Sequence, residues 1–425
     1  MDELKIGFFK QLINPPSGTF LAGYEYERYS GEVHDDLFCR VIVIKGEETY
    51  VIAGLDLVAV DDSFVSLIGE RLYDKWGIEK KNLMVCCTHT HSGPGGTFSS
   101  SGPIGKGLKG VFGGADDMMR EYIIRQVAGC VEKCLDNMDC FILRYESGSV
   151  SGIGLNRRDP AIPIDDELQV LVIERKDGRK AVIYNYSCHP TVMDKYNNMV
   201  SADFPGEAAY ILEHAGGFDA ALFFNGACGD VSTRFTRQSS SFDEVKRLGC
   251  ILGGEALKLA NRNRSSMPVD NIKVASRTIE LKIRDFTLEK GTEEVPEMTG
   301  EETDKTAAGM LRLRQSRLEG EKNNINLAHG FSGMDSIGIE VKIMRLGDIF
   351  FVYIPGELFT SLGLKLKRSL KDRKILVVCY GGGYIGYIPD ATAYKDRGYE
   401  ALSSPLAEGE GERLVEYVIE TVSSM

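Results

Sequence analysis

The sequence has one tryptophan, six histidines and no run of apolar residues long enough to cross a bilayer as a helix, for which about 18 or more would be needed. A transmembrane segment is therefore not expected. No Cys-x-x-Cys pair occurs among the ten cysteines, so neither a zinc ribbon nor a thioredoxin-like redox motif is present. Several thiols (Cys86, Cys87, Cys188, Cys250, Cys379) sit inside apolar strand- or helix-like runs. They read as small buried hydrophobes in a reducing compartment rather than as a disulfide framework. The opening MDELKIGFFKQLINPP lacks a basic leader followed by an apolar stretch, so no secretory signal is visible and the expected location is the cytoplasm. Basic stripes are missing too. With 62 Asp and Glu interspersed among 50 Lys and Arg, the formal charge is −12. That balance argues against nucleic acid or an anionic membrane as the main partner.

What is there is an alternation of β-rich apolar runs and amphipathic helical stretches over nearly all 425 residues. FCRVIVIKG (38–46) and YVIAGLDLVAV (50–60) read as paired strands joined by a Gly-Glu-Glu turn. DSFVSLIGERLYDKWG follows as a helix ending at Gly77, and LMVCCTH (83–89) as a buried strand. The Gly- and Ser-rich stretch 98–117 reads as a long surface loop. Helices are predicted over 117–138, Pro205–Gly216, Phe242–Asn261, 357–371 and 410–423. Strands are predicted as two pairs in 140–155 and 168–187, at Ala220–Phe224, in 271–285, as a hairpin in 338–354 and at 374–380. The polar segment 286–305 reads as a surface insertion. The fold class is α/β, with mixed sheets flanked by helices in one large catalytic unit spanning 1–425.

Three of the six histidines follow strands directly: His89 and His91 in THTHSGPGG, and His189 in NYSCHPTVM. In extended chain an HxH spacing points both rings to one face. Two rings so placed bind a metal together, or one binds metal while the other reaches a substrate, or both are simply hydrogen-bonded in a loop. Strand ends and the loops leaving them are where sites in α/β folds collect. In FFNGACGDVSTRF a turn rich in Gly and Asp precedes Ser232. A serine there suits a nucleophile, although an ordinary turn explains the sequence equally well. Glu357, in YIPGELFTSLG, reads as a favourable charge at a helix start, and the tyrosines of CYGGGYIGYIPDATAY as packing residues. On residue chemistry alone the reading stops at a candidate metallohydrolase.

Taken in order, these motifs resemble the neutral (non-lysosomal) ceramidase family. THTHSGPGG resembles its first histidine motif, GLNRRDP (154–160) its Asn-Arg motif, and SCHPTVM its second histidine segment. NNMVSADFPG (197–206), GDVS (229–232), PGELFT, and YIGY followed by GYEA (398–401) continue the correspondence in register. The resemblance implies a zinc-dependent hydrolase of N-acyl amide bonds with one Zn²⁺ per chain. It implies His89, His189, Glu357 and Tyr387 as metal ligands, and Ser232, His91 and Arg157 as catalytic residues. Hydrolysis of esters, lactones or phosphoesters on the same scaffold, or a non-catalytic zinc-binding role, are the alternatives. Where the family's serine motif continues into Pro-Asn, this chain has Thr233-Arg234, and an extra cation near the substrate is expected. The family's C-terminal immunoglobulin-like domain has no counterpart after GYEA, which makes a small-molecule substrate more polar than ceramide an expectation alongside ceramide itself.

Overall fold

In the strand Phe38–Lys45, Val41 and Val43 face one way and Ile42 and Ile44 the other, and all four are buried. Successive side chains alternate across a strand, so both faces of its sheet must be covered. The computed structural model describes residues 3–262, 265–269, 271–286 and 305–425, and side chains within the helix Lys305–Gly330 are described at Ser316 and from Leu318 onward. One sheet has eight strands, in the order Leu83–Cys87, Thr49–Leu55, Phe38–Lys45, Lys5–Leu12, Asp139–Ser149, Glu167–Arg175, Lys180–Tyr186, Ala220–Asn225. The other has four: Ile272–Lys282, Ser336–Leu346, Ile349–Ile354 and Lys374–Cys379.

The inner faces of the two sheets pack together. Ile42, Ile44, Leu222 and Phe224 of the larger sheet share one buried cluster with Phe351, Tyr353, Leu376 and Val378 of the smaller, and the rings of Phe224 and Phe351 lie 6.1 Å apart. The outward residues, such as Val41, Val43, Val352 and Ile354, belong to a second cluster that includes helical side chains. Phe64 and Ile68 of Asp62–Trp76 and Ile123 and Val127 of Asp117–Asp136 contribute to it, as do Leu362 of Thr360–Ser369 and Val418 of Glu410–Ser423. The result is a helix–sheet–sheet–helix stack, the mixed α/β class expected.

Most neighbouring strands are antiparallel. Parallel pairing joins Thr49–Leu55 to Leu83–Cys87, Lys180–Tyr186 to Ala220–Asn225, and Ile349–Ile354 to Lys374–Cys379. The carboxyl ends of these strands open toward one region. Hydrogen bonds tie the two sheets together there: Gly382 donates its backbone N–H to Val85 at 2.8 Å, and the Asn185 amide donates to Val377 at 2.9 Å. Open α/β sheets bind ligands at such strand ends.

Several local expectations need correction. Residues 98–117 are not one structureless loop but contain two short helices, Pro103–Gly107 and Lys109–Phe112. Segment 140–155 holds a single long strand, Asp139–Ser149, and a two-residue strand, Leu155–Asn156, that pairs instead with Val231–Ser232. The strand beginning at Thr49 ends at Leu55, and residues 56–60 leave the sheet although buried. Glu357 does not open a helix; it forms a two-residue strand beside Tyr387–Ile388, and the helix starts at Thr360. The central strand Lys5–Leu12 and the short helices Ala391–Asp396 and Tyr399–Leu402 had no sequence prediction, whereas the helix Lys305–Gly330 corresponds to the polar helical region that the sequence shows before His329. The polar segment 286–305 lies, apart from its end residues, outside the described residues.

Candidate functional site

The candidate ligands lie in the segments that leave the carboxyl ends of strands. His89 follows Leu83–Cys87 and His189 follows Lys180–Tyr186, while Glu357 and Tyr387 follow the parallel pair of the smaller sheet. Asn225, at the end of its strand, fixes the approach of both histidines. Its fully buried amide donates to the carbonyls of Thr88 and Cys188, the residues just before them, at 3.2 Å each.

The HxH segment is not extended as predicted, because His89 has φ 70°. The two rings meet all the same, with Nε2 of His91 3.1 Å from Nε2 of His89. Tyr380 is also left-handed, at φ 56°, and its ring stacks on His89 with centroids 3.9 Å apart. Such backbone is costly for residues with a Cβ and tends to occur where a site demands it.

Hydrogen bonds orient both ligating candidates alike. Nδ1 of His89 donates to the carbonyl of Val58 at 2.7 Å, and Nδ1 of His189 to that of Cys228 at 2.7 Å. With the proton held on Nδ1, each Nε2 presents a lone pair inward. Both lone pairs face Glu357: its Oε2 lies 2.8 Å from Nε2 of His189 and 3.7 Å from Nε2 of His89. The short distance is not a hydrogen bond, since Nε2 of His189 has no hydrogen-bond partner among the described residues. Two buried lone pairs at that separation repel unless a cation or proton stands between them. The other carboxylate oxygen, Oε1, accepts from the hydroxyl of Tyr384 at 2.5 Å.

Burial keeps the imidazoles neutral. It takes His89 down to about 3 against the opposing pull of Glu357. It also takes His91 and His189 well below their ordinary value, helped at His189 by the charge of Arg157 and at His91 by the neighbouring imidazoles, which a second charge would meet. Neutral imidazole is the form that binds a metal. Ligand nitrogens of His89, His91 and His189 all lie within 4.8 Å of one another. Two imidazoles and a carboxylate, buried, pre-oriented and short of a positive charge, fit a divalent cation such as zinc.

Tyr387 and Arg157 adjoin this cluster. Arg157 donates to the Tyr387 hydroxyl at 2.9 Å, to the carbonyl of Gly229 at 2.8 Å and to Glu400 at 2.6 Å. Burial works against the Arg157 charge, but Tyr387, Glu400 and Glu357 outweigh it and hold its pKa above the ordinary value. Tyr387 is the register partner of Glu357, and its ring is stacked 6.5 Å from that of His189. Ser232 is extended rather than set at a turn's tip and is 3% exposed. It lines a cavity of about 130 Å³ together with His91, Arg157 and Tyr387.

The structure therefore gathers all seven predicted residues, and it places His91 in the same nitrogen cluster as His89 and His189. Sequence reasoning missed Tyr384, Tyr380, Glu400, Asn225 and Tyr24, whose ring packs 4.8 Å from that of His91. Tyr384 and Glu400 lie inside the YIGY and GYEA motifs, and Asn225 inside FFNGACGDVSTRF; Tyr24 carries no local signal.

A two-sheet α/β fold with a buried histidine–carboxylate cluster at converging strand ends defines a candidate metallohydrolase. The family model for the neutral/alkaline non-lysosomal ceramidase N-terminal region matches residues 14–242, and the chain belongs to that family. It is 23% identical to the neutral ceramidase of Mycobacterium tuberculosis, over 84% of this chain and 65% of that protein. With the neutral ceramidase of Pseudomonas aeruginosa it shares 26% identity over 57% of this chain and 39% of that one. The chain thus spans less than two thirds of the length of these curated relatives. The crystal structure of the Pseudomonas aeruginosa neutral ceramidase superposes on 98% of this chain and 73% of its own, with a TM-score of 0.77 and 18% identity.

Proposed function

We propose that this protein is a metal-dependent hydrolase of ceramidase type that cleaves an N-acyl amide bond, adding water across it to release a carboxylic acid and an amine. The observation that carries the reading is the pair of buried ligand atoms, Nε2 of His189 and Oε2 of Glu357, 2.8 Å apart with no hydrogen bond between them. His89, His189, Glu357 and Tyr387 would hold one zinc ion. Zinc bound there would supply Lewis-acid polarisation of a carbonyl and lower the pKa of a water to roughly 7.

The remaining roles belong to the chain itself. Arg157 is held by Glu400 and Gly229, so its guanidinium stays fixed beside the cavity and favours negative charge developing on the substrate oxygen. His91 carries the proton: its Nε2 lies 3.1 Å from the His89 nitrogen that would hold the metal, and its buried Nδ1 has no partner among the described residues. Ser232 offers its hydroxyl to the same cavity as nucleophile or as a group that positions water.

The test is metal analysis together with a panel of N-acyl substrates, from ceramide in detergent to short acyl-amino compounds. The expected result is one zinc per chain and amide cleavage, both lost at least about a hundredfold in His89→Ala. Retention of metal and turnover in that variant would remove the proposal.

A further inference from the structure

Two cavities adjoin the candidate site: the one of about 130 Å³ that holds Ser232 and His91, and a second of about 290 Å³. They share Arg157, Tyr399, Ser316 and Arg234 in their walls. Arg234 therefore stands where anything extending from the first cavity into the second must pass. Its backbone N–H donates to the Ser232 hydroxyl oxygen at 3.3 Å, so the guanidinium is tethered two residues from a predicted catalytic group.

The carboxylates lining these cavities already have basic partners. Glu400 pairs with Arg157 at 2.6 Å, Asp396 with Arg158 at 2.6 Å, and Glu319 with Lys195 at 3.5 Å. Three arginines in the same walls have none. Among the described residues no carboxylate lies within 4.0 Å of Arg234, Arg237 or Arg397. Arg237 spends its guanidinium on the carbonyls of Thr191 and Val192, and Arg234 makes one long contact, 3.4 Å, to the carbonyl of Arg157. Carbonyl contacts satisfy N–H groups but supply no contacting counter-charge. A half-buried cation with no carboxylate in contact among the described residues is costly beside a neutral substrate and favourable beside an anion.

We propose that the preferred substrate is an N-acyl compound bearing an acidic group near the scissile amide, a carboxylate or a phosphate, and that Arg234 is the residue that selects it. This rests on the amide-hydrolase reading. Arg237 and Arg397 add long-range attraction, and Arg234 supplies the planar fork of donors that an oxyanion pairs with. A neutral ceramide headgroup leaves that fork unused.

The chain, with its bound metal, is assayed on N-dodecanoylglycine, N-dodecanoyl phosphoethanolamine and the uncharged N-dodecanoylglycinamide, and binding of all three is followed by calorimetry. At least one acidic compound is expected to exceed the glycinamide by about tenfold in kcat/KM, mainly through KM. Which acid wins tells carboxylate from phosphate. In Arg234→Gln that ratio falls below about threefold, and Arg234→Lys restores part of it. Equal or better use of the glycinamide by the wild type, or a parallel loss on all three substrates in Arg234→Gln, would overturn the assignment. If no amide is cleaved, the hydrolase reading fails separately. The calorimetric ratio of acid to glycinamide, judged by the same limits, then decides the anion site alone.

Discussion

Gly23 shows how little room the histidine cluster has. Its φ is 108°, and a Cβ built there would stand 2.6 Å from Cγ and Nδ1 of the His91 ring. Gly23→Ala must therefore displace the ring or the backbone, and a shift of about 1 Å in a reacting group costs on the order of a hundredfold in turnover. The expected variant keeps its metal and loses about that much kcat; unchanged kcat would show that His91 takes no part in proton transfer. Nothing in the sequence around Gly23 announces this contact, since the residues are 68 positions apart in the numbering and meet only in the fold. His89, His91 and His189 could be singled out because they directly follow apolar strand-like runs. Glu357 and Tyr387 could not be so identified from residue chemistry, which assigned them to a helix end and to packing. Only motif order across the whole chain drew attention to them.

At the scale of elements, the predictable pieces were those with strong periodicity. The helix Asp62–Trp76 shows a full set of signals: Asp61 accepts from the N–H of Phe64 at 2.9 Å, apolar residues recur at helical spacing, and Gly77 closes it with φ 67°. Asp61 also reaches out of the helix, accepting from the N–H of Ser99 at 2.6 Å and so fastening the 98–117 segment. Asp61→Ala removes both bonds and is expected to cost about 1–2 kcal/mol. Protease nicking should then concentrate between residues 98 and 117, and a cleavage pattern identical to wild type would disconnect Asp61 from that segment. Elements missed or faint in sequence had weaker local signals. Lys5–Leu12 is a central strand, but its sequence, KIGFFKQL, does not alternate between apolar and polar residues. The helix Lys305–Gly330 shows in the sequence only as a polar helical region before His329, and its place is set by partners far away in the chain, such as the short helix Pro103–Gly107 against Gly330.

For the whole molecule, burial of acids shapes the response to pH. Burial raises Asp203 to about 6 and Asp230 to about 6, although backbone N–H groups and, at Asp230, the Asn156 amide pull the other way. An acid whose folded pKa exceeds its unfolded value binds more protons when folded. Its contribution is therefore fully present below the ordinary value of 3.8 and is lost as pH rises toward 6. Each group makes stability fall by up to about 1.4 kcal/mol per pH unit within that window. Asp203→Asn is expected to flatten the pH dependence of the unfolding midpoint between pH 4 and 6, and a slope parallel to wild type would refute this account. The α/β class was readable because apolar runs of two periods alternate over the entire length. The stacking of one sheet on the other was not, because residues 42 and 351 carry no mark in sequence of sharing a core.

The two sheets meet again at the site. His89 and His189 follow strands of the eight-stranded sheet, while Glu357 and Tyr387 form a two-residue strand pair in the chain that leaves the four-stranded one. A cation held jointly by these side chains would rivet the layers together, and prising the sheets apart would have to expel it. Its affinity then reappears as mechanical cohesion: at a free concentration a hundred times the dissociation constant, the folded state gains about 2.7 kcal/mol. A chelator in the buffer would act on this protein as a mild denaturant, loosening the seam between the layers before either sheet comes undone.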